Sequence, residues 1–127
     1  MRPSHAMIAM LPCNDLDASE TFYNRLGFSR VQRDGGPLEW ENDYRILTDR
    51  RGGGELHLTR SVDDWLVPGR NPFGLYLYTD DVDAVAAAFA SELAGKRGPE
   101  EKPWGTYEFA LADPDQTLVR VGRRLQP

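Results

Sequence analysis

The sequence contains an internal repeat, with one copy in each half of a chain of 127 residues. Residues 13–23 read CNDLDASETFY and residues 79–89 read TDDVDAVAAAF, and the two align without a gap at an offset of 66 positions. The alignment pairs Asp15 with Asp81 and places apolar or aromatic residues at matching sites. A half-length repeat in a short chain predicts two copies of one supersecondary unit.

Each copy predicts a helix after a short apolar strand. In the first copy, side chains recur at helical spacing at Ser19, Phe22, Tyr23 and Leu26. Asp15 or Asp17 can cap this helix, because a carboxylate accepts hydrogen bonds from the free N–H groups of a first turn. Gly27 and Gly95 are placed to end the two helices. The predicted helices run over residues 16–26 and 82–94.

Strands are predicted on both sides of each helix, separated by glycine and proline clusters. In the first copy they cover residues 7–12, 28–33, 38–42 with 44–48, and 55–60. In the second copy they cover residues 73–78, 98–102, 106–112 and 117–122, with a turn at Asp113-Pro114-Asp115. The segment between the copies carries Pro68-Gly69 and Asn71-Pro72 and is predicted to be a linker, with a helical turn at residues 62–66.

Bulk composition narrows the classes of function. The formal net charge of −5 disfavours nucleic-acid binding, which calls for a basic surface. Cys13 is the single cysteine, so an internal disulfide is impossible, and we expect it to be a buried, inert thiol. The N-terminal stretch lacks the apolar segment of a secretory signal, and no apolar run is long enough for a membrane span. We therefore expect a cytoplasmic location and no membrane partner.

Three stretches resemble the vicinal oxygen chelate superfamily, which groups glyoxalases, bleomycin-resistance proteins and dioxygenases. They are DLDASETFYNRLGF at residues 15–28, DVDAVAAAF at residues 81–89 and FALADPDQTLVRV at residues 109–121. Within the superfamily the chain is most similar to bleomycin-resistance proteins, because of RLGFSR, PWGTYEFALADPDQ and the aromatic pair Tyr76 and Tyr78.

The resemblance implies an α+β fold, in which two tandem βαβββ modules form a curved mixed-sheet cup. The whole chain, residues 1–127, is then a single domain. Module one covers about residues 5–61, the linker about 62–72 and module two about 73–124. The resemblance also implies a homodimer with ligand grooves between subunits, in which an N-terminal strand can be exchanged.

The resemblance further locates four positions where metal-dependent relatives place His, Glu or Gln ligands. Counting from the repeated aspartates, these positions fall at Ile8, His57, Gly74 and Arg120. Three of the four lack a ligand side chain, and a divalent ion needs three or more protein ligands. We therefore expect no metal, no cofactor and no catalytic residue.

The same strands supply candidate ligand-binding residues instead. Because alternate residues of a strand share a face, a cup lined by Gly74 and Arg120 would also be lined by nearby aromatic side chains. The predicted ligand-binding residues are Trp40, Glu55, His57, Tyr76, Tyr78, Trp104, Tyr107 and Arg120. The alternatives are core packing for the aromatic residues, and pairing of Arg120 with Glu55 or Glu108.

Three functional hypotheses remain. The first is a metal-independent binding protein that confers antibiotic resistance by sequestering a cationic, aromatic, bleomycin-like antibiotic at a dimer groove. The second is a metal-dependent enzyme, glyoxalase-like or dioxygenase-like. The third is a binding protein for an unrelated metabolite. Acidic side chains at Glu39, Glu41, Asp43 and Glu55 would favour a cationic ligand, whereas Arg120 would favour an anionic one.

Overall fold

The computed structural model describes residues 4–126. The first three residues of the N-terminal stretch considered above as a possible signal, and the last residue of the chain, lie outside this range. The chain divides into two compact units, Met1–Leu66 and Val67–Pro127, with the division inside the predicted linker. That the two units make a single domain stays a prediction.

The first unit is one helix on one mixed four-stranded sheet. Its elements are β1 (Ala9–Cys13), α1 (Leu16–Arg25), β2 (Phe28–Ser29), a 3-10 helix (Glu39–Asn42), β3 (Tyr44–Asp49) and β4 (Glu55–Arg60). The strand order is β1-β4-β3-β2, in which β1 is parallel to β4 and the other pairs are antiparallel.

The second unit repeats this topology. Its elements are β5 (Gly74–Tyr78), α2 (Val82–Ala88), two 3-10 turns (Ala90–Glu92 and Ala94–Lys96), β6 (Glu100–Lys102), β7 (Thr106–Ala112) and β8 (Leu118–Arg124). The strand order β5-β8-β7-β6 has a parallel β5–β8 pair. The predicted α+β fold of two tandem modules is therefore confirmed. No helix within residues 4–126 is long and apolar enough to cross a membrane.

Each sheet buries one face under its helix, whereas the other face carries a mixture of polar, aromatic and aliphatic side chains. In β4, Leu56 and Leu58 are buried, and α1 packs against this strand. In the second unit, the buried side chains are Phe109, Leu111, Val119, Val121, Val82, Ala86 and Phe89. The period-2 alternation of strands sends the intervening residues to the opposite face. Most of the predicted ligand-binding residues lie there.

The residues predicted to begin and end the first helix do so at α1. The carboxylate of Asp15 accepts a hydrogen bond from the N–H of Ala18 at 3.1 Å, which satisfies one free donor of the first turn. Gly27 follows the helix with a φ of +101°, the left-handed conformation that glycine adopts without steric cost. Cys13 is fully buried, as expected.

Three sequence predictions were wrong, two in the length of an element and one in its type. Helix 82–94 ends at Ala88, because Leu93 becomes extended and forms a β-bridge with Leu111. Gly95 therefore does not end α2. Residues 38–42 form a 3-10 helix rather than a strand, because the carboxylate of Glu41 accepts from the backbone N–H of Leu38. Strand 28–33 stops at Ser29, and Arg30 turns towards Glu20 and Glu41 instead.

Candidate functional site

A buried carboxylate organises the polar face of the second sheet. Glu108 on β7 is only 2% exposed, and its Oε1 atom accepts three hydrogen bonds from neighbouring side chains. The donors are the Thr106 hydroxyl at 2.5 Å, the Tyr76 hydroxyl at 2.9 Å and the Trp104 indole N–H at 2.9 Å. The other oxygen, Oε2, faces Arg120 Nη1 at 3.4 Å. One side chain thus fixes residues from β5, β7, β8 and the β6–β7 turn.

The hydrogen bonds keep Glu108 ionised although it is buried. Burial disfavours the charged carboxylate, but the donors from Thr106, Trp104 and Tyr76, together with the charge of Arg120, outweigh it and lower the pKa of Glu108. Burial, and the hydrogen bond to this anion, raise the pKa of Tyr76. The phenol therefore remains a donor at neutral pH.

Gly122 provides the space that this arrangement needs. It pairs with Glu108 across β7 and β8, and with Tyr78 across β5 and β8. A Cβ atom at this position would lie 2.6 Å from both Glu108 Cβ and the Tyr76 hydroxyl. The absence of a side chain at Gly122 therefore lets the Tyr76 hydroxyl pass over β8 and reach Glu108 on the same face of the sheet.

Trp104 forms an exposed aromatic wall beside two cations. It lies in the segment Pro103-Trp104-Gly105, which is a turn closed by a 3.0 Å hydrogen bond from the N–H of Gly105 to the carbonyl of Lys102. The residue is 59% exposed, although its N–H is held by Glu108. Lys102 Nζ lies 5.8 Å and Arg120 Cζ lies 5.7 Å from the ring centroid, within cation–π range.

The side chains of Lys102, Trp104 and Arg120 line a cleft of about 160 Å³ in the second unit. Tyr76 and Tyr78 contact each other on the same face of the sheet, with ring centroids 4.9 Å apart. The structure therefore brings together Trp104, Arg120, Tyr76 and Tyr78. The first three contact Glu108 directly, and Tyr78 is joined to it through Tyr76. The pairing of Arg120 with Glu108, one of the two partners considered from the sequence, is confirmed.

Tyr107 is the predicted residue of the second unit that is not brought to this cluster. Its hydroxyl donates to Asp83 on α2 at 2.5 Å, which raises the pKa of Tyr107. Arg123 lies over its ring at 5.1 Å. Tyr107 therefore lies on the helix-covered face, opposite Tyr76 and Glu108. The alternation of β7 dictates this placement, since odd and even positions point to opposite faces.

In the first unit, Glu55 and His57 are held in one hydrogen-bonded row. His57 Nε2 lies 2.5 Å from Glu55 Oε2, and His57 Nδ1 lies 2.5 Å from the Tyr44 hydroxyl. Both ring nitrogens are thus engaged within the unit. Tyr44 was not singled out from the sequence; its register opposite Thr59 places it on the face of His57.

Trp40 lies apart from this row, on the 3-10 helix, with Arg33 over its ring at 5.5 Å. The adjacent Glu41 is 5% exposed and is bound by Arg30 at 3.0 Å and Arg33 at 3.2 Å. The backbone N–H of Leu38, and these arginines despite burial, lower the pKa of Glu41. Its charge is neutralised locally, so the expectation that Glu41 adds to an open negative surface was wrong.

The pairing of arginines with carboxylates also determines how the cleft of the first unit is interpreted. This cleft has a volume of about 180 Å³, and Arg30, Arg33, Glu20 and Glu41 lie on its wall. Its arginines are bound to buried or half-buried carboxylates at 2.7–3.2 Å. These contacts join the segment after β2 to α1 and to the 3-10 helix, so they stabilise the fold of the first unit.

The four positions at which the resemblance places metal ligands do not carry a ligand set here, because His57 is the one residue of a ligand type among them. Among residues 4–126, no three His, Cys, Asp or Glu side chains are grouped as a divalent ion requires. Arg120 adds a positive charge where the resemblance places a carboxylate. The residues present do not fit a catalytic metal; the metal-independent interpretation stays a prediction.

Glu108 is the residue that sequence reasoning undervalued. It was considered only as a partner for Arg120, because a lone glutamate in a strand has no periodic signature. Two features would have indicated its role. Thr106 and Glu108, two positions apart, lie on the same face of β7, and Gly122 leaves room opposite them. A buried carboxylate of this kind is stable only when hydrogen-bonded.

Comparison with known proteins identifies the family of the chain. The sequence model of the Glyoxalase/Bleomycin resistance protein/Dioxygenase superfamily matches residues 2–121. This chain belongs to that superfamily. Within the superfamily, a bleomycin resistance protein of Klebsiella pneumoniae is 32% identical over 119 residues, covering 87% of this chain and 86% of the relative.

Solved structures of superfamily members place the likeness across the whole fold. A bleomycin resistance determinant encoded on the transposon Tn5 is 29% identical, with a TM-score of 0.70 over 95% of this chain and 98% of that one. A bleomycin-binding protein complexed with bleomycin is also 29% identical, with a TM-score of 0.69 over 96% of this chain and 99% of that one. Antibiotic binding is therefore found among the superfamily members that this chain resembles.

Proposed function

We propose that this chain is a metal-independent binding protein that sequesters a cationic, aromatic, glycopeptide-type antibiotic without converting it. The observation that carries the proposal is the aromatic cluster around Glu108. Trp104 is exposed yet held in place by its N–H, and the Tyr76–Tyr78 pair lies on the same face. Such preorganised rings bind flat ligands at low entropic cost.

The likeness to bleomycin-binding proteins supports the class of ligand. The overall charge of −5 would attract a cationic molecule at long range. A dimer groove as the binding place and exchange of an N-terminal strand complete the proposal and rest on the family resemblance. The proposed cytoplasmic location rests on the composition of the sequence.

Titration of the protein with metal-free bleomycin, followed by calorimetry and tryptophan fluorescence, tests the function directly. We expect saturable binding and full recovery of unmodified drug by chromatography. Trp104→Ala should weaken binding about fivefold, because aromatic stacking contributes about 1 kcal/mol. Trp65→Phe, at a position distant in sequence and outside the cleft, is the matched control and should bind like the parent.

Two results would overturn the proposal. The absence of heat and quenching at tens of micromolar bleomycin would remove the ligand class. Near-stoichiometric zinc, nickel, manganese or iron in dialysed protein would remove the metal-independent mechanism and favour an enzyme of the same superfamily. Light scattering across a concentration series should give a dimer mass, and a monomer mass throughout would remove the intersubunit groove.

A further inference from the structure

The cleft beside Trp104 has an excess of positive charge in an otherwise acidic chain. It is lined by three cations, Arg97, Lys102 and Arg120, and by two carboxylates, Glu100 and Glu108. One positive charge is therefore left over locally, against a net charge of −5 for the chain. Charge of one sign in a low-dielectric recess concentrates ligands of the opposite sign.

Both carboxylates of the cleft are already occupied. Glu100 is bound by Lys102 Nζ at 2.6 Å and by Arg97 at 3.2 Å. Glu108 accepts hydrogen bonds from three uncharged donors on one oxygen and faces Arg120 with the other. A cationic ligand would therefore meet no uncompensated anion in this cleft, and would meet Arg120 and Lys102 as like charges.

Arg120, in contrast, has unused donors. A guanidinium carries five N–H groups in a planar fork that matches a carboxylate. Within residues 4–126, Arg120 makes one hydrogen bond, a long one of 3.4 Å to Glu108, and its side chain is 42% exposed. It lies 5.7 Å from the centroid of Trp104, so an anion on this fork would be held next to an aromatic wall.

The cleft has room for a ligand group of about one ring. Its volume of about 160 Å³ is close to that of an engineered cavity of about 150 Å³ that holds benzene. Leu118 and Ala110 supply apolar surface on the same face, since Ala110 pairs with Arg120 and Leu118 lies two residues before it. One aromatic ring fits, with its charged group at the cationic edge.

We propose that this cleft is a subsite for a single aromatic ring that bears a carboxylate or a similar anionic oxygen group. The ring packs against Trp104 and Leu118, and the anion binds Arg120 and Lys102. The subsite goes beyond antibiotic sequestration and does not depend on it. In an antibiotic complex it would receive a flat, hydrogen-bond-accepting part of the ligand and would leave the cationic part outside.

Three probes of one shape test the proposal: benzoate, benzamide and benzylamine, which are anionic, neutral and cationic. Trp104 fluorescence is isolated in a background of Trp40→Phe and Trp65→Phe. We expect benzoate to bind in the millimolar range of a single-ring fragment, about tenfold more tightly than benzamide, since hydrogen bonds to charged groups are stronger than neutral ones. Benzylamine should bind most weakly.

Arg120→Gln should lower benzoate affinity about tenfold and leave benzamide affinity unchanged. Arg123→Gln is the control, because Arg123 also lies over an aromatic ring, that of Tyr107, but on the opposite face. Melting temperatures of both variants confirm folding; if Arg120→Gln is unfolded, Arg120→Lys replaces it, with a smaller loss expected because the fork is lost.

Equal affinity for benzoate and benzamide, or tighter binding of benzylamine, would overturn the subsite. So would benzoate binding that is untouched by Arg120→Gln in a folded protein. A bleomycin titration of the same samples separates the two proposals. Bleomycin binding without benzoate selectivity refutes the subsite alone, and benzoate selectivity without bleomycin binding refutes sequestration alone.

Discussion

Replacing Glu108 by glutamine would test whether a charged acceptor holds the aromatic cluster together. Glutamine has nearly the same shape, so it leaves no cavity and retains one carbonyl oxygen for the donors of Thr106, Trp104 and Tyr76. It removes the negative charge and turns an amide N–H₂ towards Arg120. Each hydrogen bond therefore changes from a charge-assisted bond to a neutral one.

The magnitude follows from the three bonds on Oε1. A hydrogen bond to a charged group contributes about 1.5–3 kcal/mol and a neutral one about 0.5–1.5 kcal/mol, so each bond loses about 1 kcal/mol. Burying a neutral amide instead of a carboxylate recovers part of this loss. We expect a net destabilisation of about 2 kcal/mol at pH 7. Arg120, half-exposed, is hydrated when released and adds little.

The pH dependence gives the test its specificity. The pKa of Glu108 is lowered by its hydrogen bonds and by Arg120 against the effect of burial. The stability it supplies is therefore present above the ordinary glutamate pKa of about 4.3, and is lost as pH falls through the lower folded value. The difference between parent and Glu108→Gln should be largest at pH 7 and should shrink below about pH 4.3.

Urea unfolding at pH 7 and at a series of acidic pH values measures this difference. The emission maximum of Trp104, isolated by replacing the other tryptophans with phenylalanine, reports whether the indole moves into water. Glu101→Gln is the matched control, because Glu101 lies on the same hairpin and is exposed. A Glu108→Gln variant as stable as the parent at pH 7, or a difference independent of pH, would refute the charge-based argument.

Three further substitutions test the local geometry. Gly122→Ala should destabilise the chain by about 1–3 kcal/mol through overpacking, because the added Cβ would lie 2.6 Å from the Tyr76 hydroxyl and from Glu108; unchanged urea midpoint and Trp104 emission would count against that contact. Asp15→Ala should cost about 1 kcal/mol through loss of a helix cap, whereas Asp81→Ala, at the matching site where no side-chain cap bond forms, should cost much less; equal losses would contradict the difference between the two copies.

The repeat made the fold predictable, because matching helix and strand signals at a fixed offset permit few arrangements. The helix at residues 16–26, the strands at 55–60 and 106–112 and the hairpin turn at Asp113 were all correctly predicted from local patterns. These signals are local in sequence: caps, glycine stops and side-chain periodicity.

The failures have a different physical origin. Helix 82–94 is alanine-rich, and intrinsic propensity favours its continuation. Pairing of Leu93 with Leu111, 18 positions away in the chain, overrides that preference. The 3-10 helix at Glu39–Asn42 depends on the burial of Glu41 between arginines. Neither contact can be recognised from the residue pattern within the segment itself.

The candidate site was predictable in its aromatic members but not in its organisation. Tyr76 and Trp104 stand out by type, whereas their meeting at Glu108 depends on the parallel register of β5 and β8. A register shift of one residue would have put Tyr76 on the other face. Tyr107 illustrates the converse, since it neighbours the cluster in sequence but points towards α2.

Gly122 makes it possible to sort related sequences by whether they retain this site. Tyr76, Glu108 and Gly122 come from three different strands, and the first two can meet only while the third has no side chain. Glycine at this position should therefore be inherited together with the other two residues. Superfamily members that carry a larger residue there should arrange the side chains at the other two positions differently, however similar their overall fold.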